Sequence, residues 1–301
     1  MSGYEMSTPV AVWVTRLDIE KIEIRPVILD DNTIGLDAVT TSLPGGAYTT
    51  LRTYQGNQVL RLRDQVVRLE QSARLAGKPF IIDESKLRLV LRSIIVQAHR
   101  QFLLRPTAAE DVANLRLRLT LDLETHPGDL YIATEPLDVP LSAAYLDGVA
   151  VITCTLQRLL PEAKLTRFIS RSAYIRQSLP LGINEAVMVN PQGFLLEGLT
   201  SNFFAVTQSE VHTAGESVLA GITRGLVLEC AHRLGIPVRF QPTHISELAS
   251  IQESFITSAS RGVLPVCQVD GIQIGSGKPG LLTHRLMQAY GEMIMEQIEP
   301  V

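Results

Sequence analysis

The hydrophobic pattern of the N-terminal half predicts strands joined by tight turns. Residues 115–123, LRLRLTLDL, alternate strictly between apolar and polar side chains, which is typical of a half-buried strand. Residues Tyr48–Tyr54 and Gln58–Leu62 are two further strand-like runs, and Gln55-Gly-Asn57 between them is a hairpin signal. We therefore expect at least one β-hairpin in this part of the chain.

Two helices are expected in the same half. Asp64 is in position to cap a helix that runs to Gly77, and residues 84–104 form a second amphipathic pattern. Residues 135–144, EPLDVPLSAA, carry two prolines among small residues, so we place a domain boundary there. The predicted division is a small N-terminal α/β domain at 1–134, a linker at 135–144 and a large domain at 145–301.

The C-terminal half also mixes strands, hairpins and helices. Residues 149–156 are strand-like, and residues 170–179 are expected to be helical. Pro191-Gln-Gly193 is a turn signal between two apolar runs and predicts another hairpin. Thr223 is expected to cap a helix with one apolar face.

Composition places the chain among globular proteins. Its 301 residues are enough for about two domains, and 46% hydrophobic against 19% charged residues allow a sizeable core. The 27 basic and 31 acidic residues give a net charge of −4, and no basic run of five or more occurs. This charge balance argues against a nucleic-acid partner. Neither a membrane-spanning stretch of about 20 apolar residues nor a signal peptide is recognised, so we expect no membrane association.

Cysteine and histidine usage indicates the compartment and argues against a metal. Cys154, Cys230 and Cys267 are far apart and odd in number, which fits reduced, buried thiols in a cytoplasmic protein better than disulfides. The six histidines form no HExxH motif and no Cys/His cluster. We expect no metal site.

One short stretch, EGLTSNFFAV at 197–206, joins a carboxylate to a strand-like apolar run. Glu197 follows Phe194-Leu195-Leu196 and precedes Gly198. A carboxylate buried at such a position needs a partner, because an isolated buried charge is costly. The alternative is an exposed glutamate at the end of a strand.

Two other stretches contain groups that favour an anion. Gly221-Ile222-Thr223 enters a predicted helix, whose first N–H groups and dipole attract negative charge. TSAS at 257–260 is a cluster of small polar residues at a strand end. Each has an ordinary alternative, a plain helix cap for the first and turn chemistry for the second. Arg68 and Lys164, taken singly, are typical of solvated side chains.

Four collinear segments resemble the class IV aminotransferases, the pyridoxal-phosphate (PLP) enzymes of fold type IV. This family includes branched-chain and D-amino acid aminotransferases and aminodeoxychorismate lyase. The resemblance covers the chain from about Gly45 to Tyr290. The segments are VLRLRDQVVRLEQSARLAG, EGLTSNFFAV, LAGITRGLVLECAHRLGIPV and VDGIQIGSGKPGLLTHRL. It implies an α/β (α+β-like) fold with a smaller N-terminal α/β domain, a larger C-terminal β-rich domain, PLP in the interdomain cleft and a homodimer.

The resemblance also implies roles for individual residues. Lys164 would form the internal aldimine and, once released, shuttle a proton. Glu197 would pair with the pyridine nitrogen, so that the ring acts as an electron sink. Asn202, with Ser201, would brace the loop around Glu197. The implied phosphate contacts are Arg68, the N–H groups of Ile222 and Thr223, and the Ala259–Ser260 corner.

The substrate strand departs from the branched-chain pattern. The Phe-Glu-Gly-x-Arg strand of branched-chain enzymes is here Tyr48-Thr-Thr-Leu-Arg52, a form more like that of aminodeoxychorismate lyases. The usual tyrosine five residues after the lysine is here Ile169. Arg52 and Tyr54 are therefore the substrate-side candidates, with the fork of Arg52 suited to a carboxylate. The alternative for Arg52 is a charge on a strand face.

These observations predict a PLP-dependent aminotransferase that acts between an amino acid and a 2-oxo acid, with branched-chain amino acids among the candidates. One alternative is aminodeoxychorismate lyase, which forms 4-aminobenzoate and pyruvate. Another is a non-catalytic family member, which the presence of both Lys164 and Glu197 disfavours.

Overall fold

A computed structural model describes residues 10–30, 32–103 and 114–301. Strands and helices are interspersed along these residues, and none of the described helices is long and apolar enough to cross a membrane. The first elements are β1 Ala11–Arg16, β2 Arg25–Pro26, α1 Gly35–Ser42, β3 Gly46–Tyr54, β4 Gln58–Leu60, α2 Leu62–Leu75, α3 Glu84–Leu103, β5 Leu115–Asp122 and β6 Asp129–Pro136. Those that follow are α4 Ser142–Asp147, β7 Val149–Cys154, α5 Arg167–Gln177, β8 Ile183–Val189, β9 Leu195–Gly198, β10 Asn202–Thr207, β11 Glu210–His212, α6 Ile222–Arg233 and β12 Val238–Arg239. The last are a 3₁₀ helix Ile245–Ser250, β13 Glu253–Ser258, β14 Gly262–Val269, β15 Ile272–Gln273, α7 Leu281–Gln297 and β16 Ile298–Pro300.

The expected hairpins are present. Strands β3 and β4 pair antiparallel on either side of Gln55-Gly-Asn57, and Gln55 and Gly56 have the positive φ angles that a tight turn requires. Strands β8 and β9 likewise pair antiparallel around Pro191-Gln-Gly193. Both sequence predictions are confirmed. The second predicted helix, 84–104, corresponds to α3, and its last residue lies outside the described residues.

Two compact units divide the chain. Unit 1 comprises Met1–Asp138, Ala163–Ser170 and Gln297–Val301, and unit 2 comprises Val139–Glu162 and Arg171–Glu296. The predicted division at 135–144 differs from these units, because it leaves two short segments of unit 1 in the second domain. The reason is strand pairing: Ala163–Ser170 includes a bridge to β3, and β16 pairs with β4.

Unit 1 is built on a seven-stranded sheet in the order β16-β4-β3-β5-β6-β1-β2. The segment that carries Lys164 runs antiparallel to the start of β3. The Tyr48 N–H donates to the Lys164 carbonyl at 2.9 Å, and the Thr166 N–H donates to the Gly46 carbonyl at 2.9 Å. Backbone hydrogen bonds therefore fix the position of Lys164 relative to β3.

Strand β5 is buried on both faces, so the expectation of a half-buried strand is wrong. Arg118 is only 4% exposed, and Asp122 is fully buried. The Arg118 guanidinium donates to the Leu36 carbonyl at 3.0 Å and to the Asp37 carboxylate at 2.8 Å, both on α1. Asp122 accepts three backbone N–H groups of the following turn. The polar positions of this strand are thus satisfied by protein groups instead of water.

Helix α2 starts before Asp64, so Asp64 is not its N-cap. Its cap residue is Arg61, in the left-handed region at φ 47°, and Asp64 lies in the first turn. The Glu299 carboxylate of β16 accepts the Leu62 N–H at 3.0 Å. Glu299 is far from this helix in sequence, yet its carboxylate provides the acceptor for a free N–H group of the first turn. Its negative charge is also the sign that a helix N-terminus favours.

Unit 2 is built on a nine-stranded sheet that closes on itself. Strand β9 pairs with both β8 and β10, so β9, β10, β13, β14, β7 and β8 form a ring of six strands, a small barrel. One face of the ring carries a hydrophobic cluster that includes Val187, Leu195, Phe203 and Ile256. Helix α6 packs against β13. Strands β9, β10 and β13 of this ring carry the polar residues Glu197, Asn202 and Thr257.

Candidate functional site

Lys164 is oriented in unit 1 by contacts to β3 and α2. Its backbone N–H donates to the Ser72 hydroxyl at 3.0 Å, and its carbonyl accepts the Tyr48 N–H at 2.9 Å. Its Nζ lies 4.6 Å from the centre of the Tyr48 ring. The side chain is half-buried and rests on an aromatic face.

Arg68 is linked to Lys164 through Ser72. The Ser72 hydroxyl, which accepts the Lys164 N–H, donates to the Arg68 carbonyl at 2.7 Å one turn earlier on α2. The Arg68 guanidinium donates to the Thr49 hydroxyl at 2.6 Å and to the Gln65 side-chain carbonyl at 2.9 Å. Unit 1 therefore brings together two of the residues predicted from the sequence.

Glu197 is buried in unit 2, with 1% of its surface exposed. Its Oε1 accepts from Arg158 Nε at 2.7 Å. Its Oε2 accepts from Asn202 Nδ2 at 3.1 Å and from the Leu219 N–H at 3.1 Å. The sequence alternative of an exposed strand-end glutamate is therefore wrong.

A β-bulge turns Glu197 towards these partners. Val189 pairs with Leu195 and Val187 with Gly198, so β9 carries one residue more than β8 over this stretch. Leu195 packs in the same cluster as Phe203, whereas Glu197 bonds to Asn202, the residue before Phe203. Since neighbours along a strand face opposite sides, the carboxylate lies on the side away from the hydrophobic cluster.

Asn202 connects Glu197 to the start of α6. Its amide also donates to the Leu219 carbonyl at 2.8 Å, and a Cβ on Gly221 would overlap its Oδ1. Gly221 is the residue that precedes α6, which begins at Ile222. The expectation that Thr223 caps this helix is therefore wrong: Thr223 is the second helical residue, and the cap position has no side chain. The N–H groups of Ile222 and Thr223 nevertheless lie in the first turn, where the helix dipole favours an anion.

Two buried polar atoms near this helix start have no hydrogen-bond partner among the described residues. They are Thr257 Oγ1 and Arg224 Nε. The register pairs Thr257 with Asn202, so both side chains face the same side of the sheet. Burial lowers the pKa of Arg224, and the charge of Glu197 partly offsets this effect. The Arg224 guanidinium donates to the Ala214 carbonyl through one Nη at 2.9 Å, so its Nε–H and the Thr257 hydroxyl are the two groups that fit an anion here.

Ala259 and Ser260 lie in the turn between β13 and β14, two and three residues after Thr257, and both are half-buried. Thr257 lies in the TSAS stretch, but the sequence predicted no role for this residue. No role was predicted for Arg158 or Arg224 either. The loop between β7 and α5 that carries Arg158 has no motif that would have identified it.

Arg52 and Tyr54 lie together on β3 in unit 1. The Arg52 guanidinium is 4.7 Å from the centre of the Tyr54 ring. Arg52 is directly opposite Arg116 on β5, and Arg116 is paired with Glu135 at 3.0 Å. Burial raises the pKa of the Glu135 carboxyl, and Arg116 opposes that rise.

Arg118 shares this sheet face and lies 5.2 Å from the Tyr48 ring centre. The charges of Arg116 and Arg118 are balanced by Glu135 and Asp37, so the guanidinium of Arg52 remains the candidate on this face for a substrate carboxylate.

Gly221→Ala is expected to weaken binding of an anion at the α6 N-terminus by about five- to 150-fold. The added methyl group would overlap Asn202, which is buried and held by Glu197 and the Leu219 carbonyl. Overpacking of this kind costs about 1–3 kcal/mol, and 1.4 kcal/mol is a factor of ten. Fluorescence titration with PLP measures the dissociation constant.

Gly225→Ala is the matched control in the same helix. A Cβ at Gly225 meets no atom within 4 Å, so this variant should bind as the native chain does and gain about 0.5–1 kcal/mol of helix stability. Equal affinities for the two variants would contradict the role given to Gly221.

Comparisons with known proteins point to one family. The family model for amino-transferase class IV matches residues 46–269. A branched-chain-amino-acid aminotransferase from Pseudomonas aeruginosa is 26% identical over 266 residues, which cover 84% of this chain and 85% of that protein.

Two solved structures share the fold. One is a branched-chain amino acid aminotransferase from Escherichia coli, with a TM-score of 0.67 and 22% identity over 98% of this chain and 99% of that one. The other is a hypothetical aminotransferase from Mycobacterium tuberculosis in its PLP-bound form, with a TM-score of 0.71 and 20% identity over 95% and 99%.

Proposed function

Because the chain belongs to the class IV aminotransferases, we propose that it is a PLP-dependent aminotransferase that moves an amino group between an amino acid and a 2-oxo acid. The relative from Pseudomonas aeruginosa, a branched-chain-amino-acid aminotransferase, supports branched-chain amino acids as substrates. Lys164 and Glu197, one in each unit, are the residues on which the chemistry depends.

The observation that carries the proposal is the link from Glu197 through Asn202 to the start of α6. A buried carboxylate and an anion-binding helix start are joined by one residue. PLP presents a protonated ring nitrogen and a phosphate, which need these two kinds of partner. Thr257 Oγ1, a buried hydroxyl without a partner among the described residues, is an additional donor for the phosphate.

The bound cofactor supplies an electron sink, and the residues of this chain hold it and move protons. Lys164 would provide the amine that binds the cofactor covalently; once released by the substrate, its Nζ would take up and return the substrate proton. Glu197 accepts the ring N–H and holds that proton in place. We assign the phosphate to Arg68, the Ile222 and Thr223 N–H groups, and the Ala259–Ser260 corner.

Arg52 and Tyr54 are proposed to bind the substrate. The guanidinium of Arg52 binds a carboxylate, and the Tyr54 ring beneath it restricts its orientation. The Tyr48-Thr-Thr-Leu-Arg52 form of this strand favours a second candidate function, lyase action on aminodeoxychorismate.

A half-reaction assay tests the proposal. Purified protein loaded with PLP is mixed singly with leucine, valine, isoleucine, glutamate and D-alanine, without a 2-oxo acid. Transamination predicts that the long-wavelength band of the bound cofactor moves to shorter wavelength and returns when a 2-oxo acid is added. Pyruvate release from aminodeoxychorismate, with no band shift by any amino acid, would overturn the aminotransferase assignment in favour of the lyase.

We also propose that the chain works as a homodimer in the cytoplasm. The three free cysteines support a reducing compartment. Light scattering after size-exclusion chromatography is expected to give twice the chain mass of 33.1 kDa. A species of single chain mass at micromolar concentration would contradict the dimer.

A further inference from the structure

The closest charged partner of Glu197 is Arg158, a residue without any sequence motif. Arg158 Nε lies 2.7 Å from Glu197 Oε1, and both side chains are almost fully buried, with 4% and 2% of their surface exposed. Arg158 lies in the loop between β7 and α5, and both partners belong to unit 2. An ion pair with so short an N–O distance, buried away from solvent, is a strong electrostatic contact.

The three hydrogen bonds described above for Glu197 all have Glu197 as acceptor. Arg158 donates to Oε1, and Asn202 and the Leu219 N–H donate to Oε2. A proton on the carboxyl would compete with one of these donors for an oxygen lone pair. Of the three donors, Arg158 alone carries a charge.

We propose that Arg158 keeps Glu197 ionised, so that the proton between Glu197 and the cofactor ring stays on the ring nitrogen. This inference rests on the proposed function, in which Glu197 accepts the ring N–H. One proton is shared between two sites, the ring nitrogen and the Glu197 carboxylate. Burial favours its transfer to the carboxylate, since the pair then becomes neutral. Arg158 opposes that transfer, because its positive charge is in contact with the carboxylate and stabilises the ionised form.

Arg158 is therefore a positioning residue that acts through Glu197. An opposite charge in contact changes the pKa of a carboxyl group by about 1 to 3. Removal of the charge should change the equilibrium of the proton between the ring nitrogen and Glu197 by about ten- to a thousandfold in favour of Glu197. A ring that has lost this proton is a weaker electron sink, so kcat should fall while KM changes little.

The test reads the protonation of the ring directly. Protein is reconstituted with PLP labelled with ¹⁵N at the ring position, and the nitrogen chemical shift distinguishes protonated from unprotonated ring. We expect a protonated ring in the native chain and an unprotonated one in Arg158→Met. Arg158→Gln, which keeps a donor but no charge, should behave like Arg158→Met and serves if the methionine variant does not fold. Arg158→Lys, which keeps the charge, should restore the protonated signal.

Arg261→Met is the matched control for loss of a buried ion pair. Arg261 pairs with Glu185 at 2.9 Å in the same unit, with side chains 14% and 2% exposed. Its loss should destabilise the protein but leave the ring protonated. A protonated ring in both Arg158→Met and Arg158→Gln would overturn the inference while the proposed function stands. Failure of the native chain to bind PLP would instead overturn the proposed function, and the inference with it.

Discussion

Replacement of Lys164 by alanine is expected to remove covalent cofactor binding and to lower kcat by at least about 10⁴-fold. A factor of about 10⁴ is the upper end of the rate enhancement that one general acid–base residue contributes. We expect at least this loss, because Lys164 also supplies the nucleophilic amine. Purified Lys164→Ala should lack the long-wavelength band of the covalently bound cofactor. Steady-state assays with the best amino donor give the change in kcat.

The loss should not come from unfolding. The described contact of Nζ is with the Tyr48 ring, a type of interaction worth about 0.5–1 kcal/mol when exposed. Lys278→Ala is the control, since Lys278 is exposed and pairs with the exposed Asp147. It should keep the absorption band and its activity. A native-like band in Lys164→Ala would show that another amine binds the cofactor.

Replacement of Glu197 by alanine is expected to destabilise the apoprotein by about 3–5 kcal/mol. Removal of one partner of a buried ion pair leaves the other charge uncompensated, here that of Arg158. Asn202 Nδ2 and the Leu219 N–H would lose an acceptor at the same time. Urea unfolding of the apoprotein, followed by circular dichroism, measures the change without any contribution from the cofactor.

Two further variants separate the ion pair from the general effect of the substitution. Glu296→Ala removes an exposed carboxylate paired with Arg233 at 2.9 Å and should cost less than about 1 kcal/mol. The double variant Arg158→Met with Glu197→Ala should be more stable than Glu197→Ala alone, because no buried charge is then left unpaired. If Glu197→Ala cost less than about 1 kcal/mol, the buried pair would not exist in solution.

Local signals in the sequence were sufficient for the turns and insufficient for the helix starts. Gln55-Gly-Asn57 and Pro191-Gln-Gly193 determine their hairpins by backbone preference alone. The caps assigned to Asp64 and Thr223 were wrong. The start of α2 is satisfied by Glu299 from the other end of the chain, and Gly221 precedes α6. A side-chain cap predicted from neighbouring residues cannot include an acceptor that folding brings from a distance.

The alternating pattern of β5 shows a similar limit. Alternation predicted correctly that the segment is a strand, because side chains of successive residues face opposite sides. It predicted wrongly that the polar side faces water, since Arg118 is bonded to α1 and Asp122 to the following turn. Periodicity identifies the two faces of a strand, but not what covers them.

The sequence alone determined the family, through the order of its four motifs, and it identified Glu197 as a carboxylate that needs a partner. The tertiary structure decided what that partner is in this chain. A bulge in β9 turns Glu197 out of the hydrophobic cluster, and the loop after β7 brings Arg158 to 2.7 Å from it. The bulge is a register shift between strands, and Arg158 and Glu197 are 39 positions apart in the chain. Both features depend on how distant segments pack, so no local pattern of residue types predicts them.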